Sequence, residues 1–239
     1  MSKSINFLNK YYGKSGDYLK DHDLFLRCAN IKKDLFFLIK SLDFKKNEAI
    51  LDIACGQGRH VNALREKGYK ADGVDFSRYL INKAKAGIKK DKINQPIYFV
   101  ADIQKLRLPK KYAKAYWFFS DLGNIDLAKT VLSIADNIKA GGKVLFDTDN
   151  IFRLIGYLQK NNSTHYHFDF KKLELVDKKN NIRVKYPIFL LWERWFKAAG
   201  FSIERVMGNY DFSEYSIKSP RLILVAKKTA RASTKKLGG

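Results

Sequence analysis

The residues best suited to chemistry fall in one ten-residue stretch, Leu51-Asp52-Ile53-Ala54-Cys55-Gly56-Gln57-Gly58-Arg59-His60. An apolar run leads into a turn with two glycines and then directly into a helical pattern, so a ligand can approach the backbone without meeting a Cβ. Asp75, 19 positions beyond Gly56, closes the next apolar run. A carboxylate there can accept both hydroxyls of a ribose. Two kinds of nucleotide-like ligand compete for this geometry. A dinucleotide asks for a third glycine and sets its pyrophosphate over the helix N-terminus. Here the third position is Val61, and Asp52 places a negative charge just before the turn. That charge disfavours a pyrophosphate and suits a ligand bearing an ammonium and a sulfonium. The balance favours S-adenosylmethionine.

Positioning these groups requires a particular order of elements. The stretch 5–40 reads as helical, with Leu24, Phe25, Ile31, Leu35, Leu38 and Ile39 near a 3.6-residue period. Buried-strand runs follow at Ala49–Ala54, Tyr69–Val74, Ile97–Val100, Ala115–Phe119 and Val144–Phe146. Between them lie a helix ending at Gly68, one capped by Ser77 and running through Ala84 and Ala86, and one over Leu127–Ile138. Strand and helix in alternation predict an α/β fold, a doubly wound parallel sheet with helices on both faces. Farther on, Phe168–Leu175 and Ile182–Phe189 flank Lys178-Lys179-Asn180-Asn181 as a β-hairpin inserted beside the site. Leu190–Ala199 reads as a helix stopped by Gly200, and Phe201–Met207 and Leu222–Ala226 as two further strands.

Composition bounds the rest. The 239 residues are 46% hydrophobic, enough for the core of one α/β domain. No apolar run approaches the roughly 20 residues needed to cross a bilayer, and the N-terminal sequence lacks the apolar segment of a secretory signal. Cys28 and Cys55 give neither a disulfide framework nor a paired zinc motif, so a reducing, cytoplasmic setting is expected. The net charge of +22 would favour a polyanion such as RNA or a ribosomal particle. Its plainer reading is lysine scattered through the chain.

The run LDIACGQGRHVNALREKGYKADGVDFS resembles motif I and the following acidic loop of the class I S-adenosylmethionine-dependent methyltransferases. The resemblance continues through Val100–Ile103, Ile138–Val144, Ala198–Phe201 and Ser219–Lys228, and so spans nearly all of residues 1–228. It implies a Rossmann-like, mostly parallel seven-stranded sheet whose last strand is antiparallel. It also implies one domain over 1–228, with 1–45 as an N-terminal helical lid, 165–189 as the inserted hairpin and 229–239 as a basic tail. Carried over by position, Asp52, Ala54, Gly56 and Gly58 would line the methionine part of the cofactor. Asp75 would take the ribose hydroxyls, Phe76 would lie against the adenine, and Asp102 would bond its amino group with Ile103 beside it. Tyr11, Tyr12 and Arg27 resemble lid residues that reach the cofactor carboxylate or the acceptor. The sequence departs from the family where Asn30–Lys33 replaces acidic residues that often follow the arginine.

Methyl transfer needs alignment of acceptor, methyl and sulfur and exclusion of water, and a base only when the acceptor must lose a proton. The fourth-strand end, Phe118-Phe119-Ser120-Asp121-Leu122-Gly123-Asn124, would face the methyl, with Phe119 grouped with the cofactor residues. Ser120, Asp121 and Tyr12 are the candidates for orienting or deprotonating an acceptor; Ser120 and Asp121 also read simply as a polar strand end. The segment lacks both the Asn/Asp-Pro-Pro-aromatic signature of exocyclic amine methylation and a Pro-Cys nucleophile. His60 reads first as a helix residue packing on the sheet, and Cys55 as a small packing residue. His165 and His167 lack a third ligand at telling spacing, so no metal site is expected. Trp117, Trp192, Trp195 and Phe196 could form a stacking platform but read as core. Lys171, Lys172, Lys178, Lys179 and Lys185 could grip phosphates or form a solvated face. The resulting expectation is methyl transfer to a small-molecule acceptor. The alternative is a methyltransferase-fold protein that modifies or binds RNA or a ribosomal particle.

Overall fold

The computed structural model describes residues 11–16, 18, 20, 30–88, 97–119, 125–161, 164–179 and 182–229. Helix α1 (Ile31–Leu42) starts where the Asn30 side chain accepts from the amides of Lys32 and Lys33, and stops at Asp43 in the left-handed region. Strand β1 (Ala49–Ile53) leads into α2 (Arg59–Glu66), which Gly58 opens at φ 74° and Gly68 leaves at φ 81°. Strand β2 (Lys70–Asp75) is followed by α3 (Arg78–Ala86), whose first turn is capped by Ser77 accepting from the Leu80 amide. Strand β3 (Tyr98–Val100), a short 3-10 turn at Ile103–Lys105, β4 (Tyr112–Trp117), α4 (Leu127–Asp136) and β5 (Ile138–Asp149) complete the alternation.

Next come α5 (Ile151–Asn161), the short strands β6 (Tyr166–Asp169), β7 (Glu174–Asp177) and β8 (Ile182–Lys185), then α6 (Phe189–Ala198), β9 (Phe201–Met207) and β10 (Arg221–Lys228). Among the described residues the main sheet has seven strands in the order β3-β2-β1-β4-β5-β10-β9. Strands β1 to β5 pair in parallel, and β10 runs antiparallel to both of its neighbours. The fold is therefore the expected doubly wound one, and the order reverses between β1 and β4, the switch point where such sheets bind ligands.

Alternate residues of the strands feed two cores. Leu51, Ile53, Trp117, Phe146 and Leu224 pack with α4 and α6 on one face. Ile50, Tyr116, Leu145, Ile223 and Val225 pack with α1 and α2 on the other. Each such large side chain contributes about 1.5–3 kcal/mol by leaving water. Trp117, Trp192 and Phe196 are buried in the first core, so these rings are structural and not a stacking platform.

Two features differ from expectation. The predicted hairpin is a three-stranded antiparallel meander, β6-β7-β8. Phe168–Leu175 breaks into two strands because the Asp169 carboxylate accepts from the amides of Lys171 and Lys172, and Leu173 turns at φ 52°. Helix α5 was not foreseen, although Ile151, Leu154, Ile155 and Leu158 recur at helical spacing.

Candidate functional site

The chemistry-bearing residues converge at the carboxyl ends of the central strands. Beyond β1, Ala54 turns at φ 55° and Gly56 at φ 54°, conformations rarely held by side-chain-bearing residues and concentrated at functional sites. The turn is pinned from β2: Asp75 Oδ2 accepts from the Gly56 amide at 2.9 Å, while its Oδ1 accepts from the Ser77 amide at 2.8 Å. Burial pushes the Asp75 carboxyl above the ordinary carboxylate range against these amides, which pull it down.

Asp52 is the sharper anomaly. It is buried in β1, and among the described residues its Oδ2 has no hydrogen-bond partner. The Tyr116 hydroxyl lies near enough to affect its titration, yet that hydroxyl also closes no hydrogen bond of its own. Burial lifts the Asp52 pKa well above its usual value, the nearby hydroxyl opposes this, and repulsion from Asp75 adds to it. A buried carboxylate without a partner is strongly unfavourable, so it marks a place that a cation can satisfy.

The two glycines have different tasks. A Cβ at Gly56 would meet only the Tyr18 hydroxyl, at 3.4 Å. A Cβ at Gly58 would sit 2.3 Å from the Tyr98 hydroxyl and 2.8 Å from the Ala84 Cβ. Gly58 therefore serves helix–strand packing, and Gly56 keeps the cleft open. We expect Gly58→Ala to lower stability by about 2–5 kcal/mol, from the left-handed backbone and the clash together. Gly56→Ala should cost about 1–2 kcal/mol from the backbone alone. Urea denaturation of both variants checks this, and equal losses would contradict the assignment.

Three tyrosines of the N-terminal segment roof this part of the cleft. Tyr12 meets Phe76 edge-on at 5.3 Å and Tyr18 at 4.7 Å, and Tyr11 meets Tyr12 at 5.0 Å. The segment is fastened by the Ser77 hydroxyl donating to the Tyr12 carbonyl at 2.8 Å. The half-exposed Phe76 ring thus has one face of its surroundings built by Tyr12. Asp102 caps the 3-10 turn after β3, its Oδ1 accepting from the Gln104 amide, with Ile103 half-buried next to it. Arg27, Ser120 and Asp121, named from the sequence, lie outside the described residues.

Beyond β4 stands a second wall made of rings. Phe119 takes φ 54° and lies 4.2 Å from Phe118 and 5.6 Å from Tyr210 between ring centroids. Its amide donates to Asp147 Oδ2 at 2.8 Å, and the same oxygen accepts from the Tyr210 hydroxyl at 3.0 Å. Arg221 Nε donates to Asp147 Oδ1 at 2.8 Å and its guanidinium also pairs with Asp149. His60 stacks on Phe119 at 6.3 Å and reaches Asp34 of α1 at 3.2 Å. Burial, joined by repulsion from Arg59, lowers the His60 pKa although Asp34 pulls it up, which favours the neutral imidazole. His60 thus packs as expected, while also tying α1 to the site.

Asp34, Asp147, Tyr210 and Arg221 were not singled out from the sequence. Asp147 has one signal there: a charge directly after the apolar run Val144-Leu145-Phe146 is out of place in a buried strand unless something pairs with it. Tyr210 carries no such mark.

Residues 50–142 match the family described as the methyltransferase domain. A Bacillus subtilis (strain 168) protein named as a methyltransferase, YqeM, is 24% identical over 212 residues, covering 75% of this chain and 84% of its own length. The dTDP-3-amino-3,4,6-trideoxy-alpha-D-glucopyranose N,N-dimethyltransferase of Streptomyces venezuelae is 23% identical over 141 residues, 57% of this chain and 53% of that protein. Among solved structures, an S-adenosylmethionine-dependent methyltransferase from Clostridium acetobutylicum superimposes with a TM-score of 0.70 at 19% identity, over 90% of this chain and 98% of the other. The CcbJ methyltransferase of Streptomyces caelestis gives 0.65 at 14% identity, over 84% and 90%.

Proposed function

We propose that this chain is a class I S-adenosylmethionine-dependent methyltransferase and that it methylates a small molecule held against the ring wall of Phe118, Phe119 and Tyr210. The observation that carries the reading is the buried Asp52, whose Oδ2 has no hydrogen-bond partner among the described residues, beside a glycine turn that Asp75 clasps. A neutral or anionic ligand would leave that carboxylate worse off; one with an ammonium and a sulfonium satisfies it. The residues present therefore fit the methyl donor. Asp52, Ala54 and Gly56 would hold its methionine part, Asp75 its ribose, and Phe76, Asp102 and Ile103 its adenine, with Tyr11 and Tyr12 as the roof and Phe119 at the methyl. Gly58 supports this set through packing.

S-adenosylmethionine supplies a methyl carbon already activated by its sulfonium. The chain's own work is placement. The clustered rings of Tyr11, Tyr12 and Tyr18 on one side and the ring wall on the other would keep water from the methyl. Tyr210 does not serve as a base: burial and the neighbouring Asp147 push its pKa upward, and its hydroxyl keeps its proton while donating to that carboxylate. What it presents to the acceptor is a ring face, fixed by the hydrogen bond behind it. Ring faces suit aromatic or cationic acceptors, and no charged group is needed for attack by a neutral amine.

The direct test is calorimetry with S-adenosylhomocysteine, followed by transfer of labelled methyl to a panel of small amines and phenols. Absence of binding by folded protein would remove the reading. Asp75→Asn should weaken donor binding roughly tenfold or more, because charge-assisted hydrogen bonds contribute about 1.5–3 kcal/mol. The asparagine keeps one acceptor for the Gly56 amide, so the fold should persist by circular dichroism. Unchanged affinity would remove Asp75 from the ribose site.

A further inference from the structure

Helix α5 and the meander that follows it carry a surface that the methyl-transfer reading does not use. Every other helix described buries at least two residues, but α5 buries only Ile151. Ile151, Leu154, Ile155 and Leu158 recur at i, i+3, i+4 and i+7 and so share one face. Leu154, Ile155 and Leu158 are only half-buried, while Phe152 and Tyr157, flanking the stripe, are 46% and 59% exposed. Arg153 and Lys160 point the opposite way, near 180° from the stripe on a 3.6-residue helix. Phe170, at the β6–β7 turn, is 67% exposed beside Lys171 and Lys172. Over residues 150–189, eight lysines and arginines face three acids.

We propose that the segment 150–189 docks the protein on an anionic lipid surface, with Phe152, Tyr157 and Phe170 entering the headgroup boundary. An amphipathic helix with a basic polar face and aromatic flanks is the arrangement that binds in the plane of such an interface. Its lysines and arginines add electrostatic attraction where they come close to anionic headgroups. The charge selects this occupant over a second copy of the chain, because two segments of the same positive sign would repel. It selects lipid over RNA because bases could stack on the exposed rings but would leave the half-buried aliphatic stripe of Leu154, Ile155 and Leu158 without use. Docking would also orient the site: α5 begins just past Asp149, which pairs with the same Arg221 that holds Asp147. The mouth beside the ring wall would then open toward the lipid.

Cosedimentation of the full chain with vesicles of phosphatidylcholine and phosphatidylglycerol tests this, against vesicles of phosphatidylcholine alone and a single-stranded RNA oligomer. The expected result is binding to the anionic vesicles, weak binding to neutral ones, and a loss of at least tenfold in the triple variant Phe152→Ser, Tyr157→Ser, Phe170→Ser. All three positions are exposed, so thermal unfolding of the variant should match the parent. Equal anionic-vesicle binding by parent and variant would overturn the proposal, since charge alone would then account for it. So would retention on RNA with none on vesicles, or concentration-dependent dimerisation in light scattering that the triple variant abolishes.

Discussion

Asp52→Asn should abolish useful donor binding and, at the same time, make the ligand-free protein more stable. The two effects have one cause. Asp52 is buried, has an oxygen without a partner and lies close to a second acid, Asp75. Removing its charge without changing its shape takes away the counter-ion for the ammonium and sulfonium. Truncating one side of a buried charge pair costs about 2–5 kcal/mol, so affinity should fall on the order of 100-fold. Adenosine, which lacks the charged amino-acid part, should bind parent and variant alike. A fall for both ligands would place Asp52 outside the methionine site.

The stability effect has the opposite sign and a definite pH dependence. Burial raises the folded-state pKa of Asp52 above its unfolded value. A group shifted in that direction contributes stability fully present below the unfolded pKa, near 3.9, and lost as pH rises through the folded pKa. The parent should therefore lose ground to Asp52→Asn progressively from about pH 4 upward. Relief of about 0.5–2 kcal/mol is typical where a strained site residue is neutralised, and each kcal/mol moves the melting temperature of a chain this size by roughly 2–4 °C. Melting curves of both proteins without ligand, from acid to neutral pH, check the trend. A pH-independent difference would mean that Asp52 is not carrying a strained charge. Saturating donor should reverse the order, since binding stabilises the parent more than the weaker-binding variant.

What could be read from the sequence was whatever local chemistry dictates. The strand, glycine turn and helix of residues 49–66 follow from an apolar run and two residues without side chains. Ser77 and Gly68 mark helix ends because an unpaired amide needs an acceptor and a left-handed residue tolerates no Cβ. The inserted antiparallel sheet is legible as a hairpin, but its additional strand is not, because one Asx turn at Asp169 divides a run whose apolar residues look continuous. The second wall was hidden for a different reason. Its bonds join residues 28, 63 and 74 positions apart, from Asp147 to Phe119, Tyr210 and Arg221. No periodicity links such positions: Phe119 meets Asp147 because β4 pairs with β5, and Arg221 and Tyr210 reach it because β10 returns between β5 and β9. The same holds for His60 and Asp34, 26 apart, which meet where α1 lies against α2.

That hidden wall supports the second large effect. Asp147→Ala should destabilise the protein by about 3 kcal/mol, because the mostly buried Arg221 guanidinium would be left without its principal partner. Asp149, more than half exposed, can offset only part of this, since its pairing is screened by water. The same substitution frees the amide of Phe119, whose left-handed backbone is held by that bond, and releases the hydroxyl of Tyr210. Both rings of the wall should then lose their fixed orientation. The double change Asp147→Leu with Arg221→Met separates the two consequences. It removes the stranded charge and should recover much of the stability, as buried ion pairs replaced by apolar residues often do. It cannot restore the acceptor for Phe119 or Tyr210. Guanidinium denaturation should therefore show the double variant near the parent, while methyl transfer stays at least tenfold down and donor affinity is retained. Recovery of transfer along with stability would mean that the carboxylate only braces the sheet and does not set the wall that the acceptor meets.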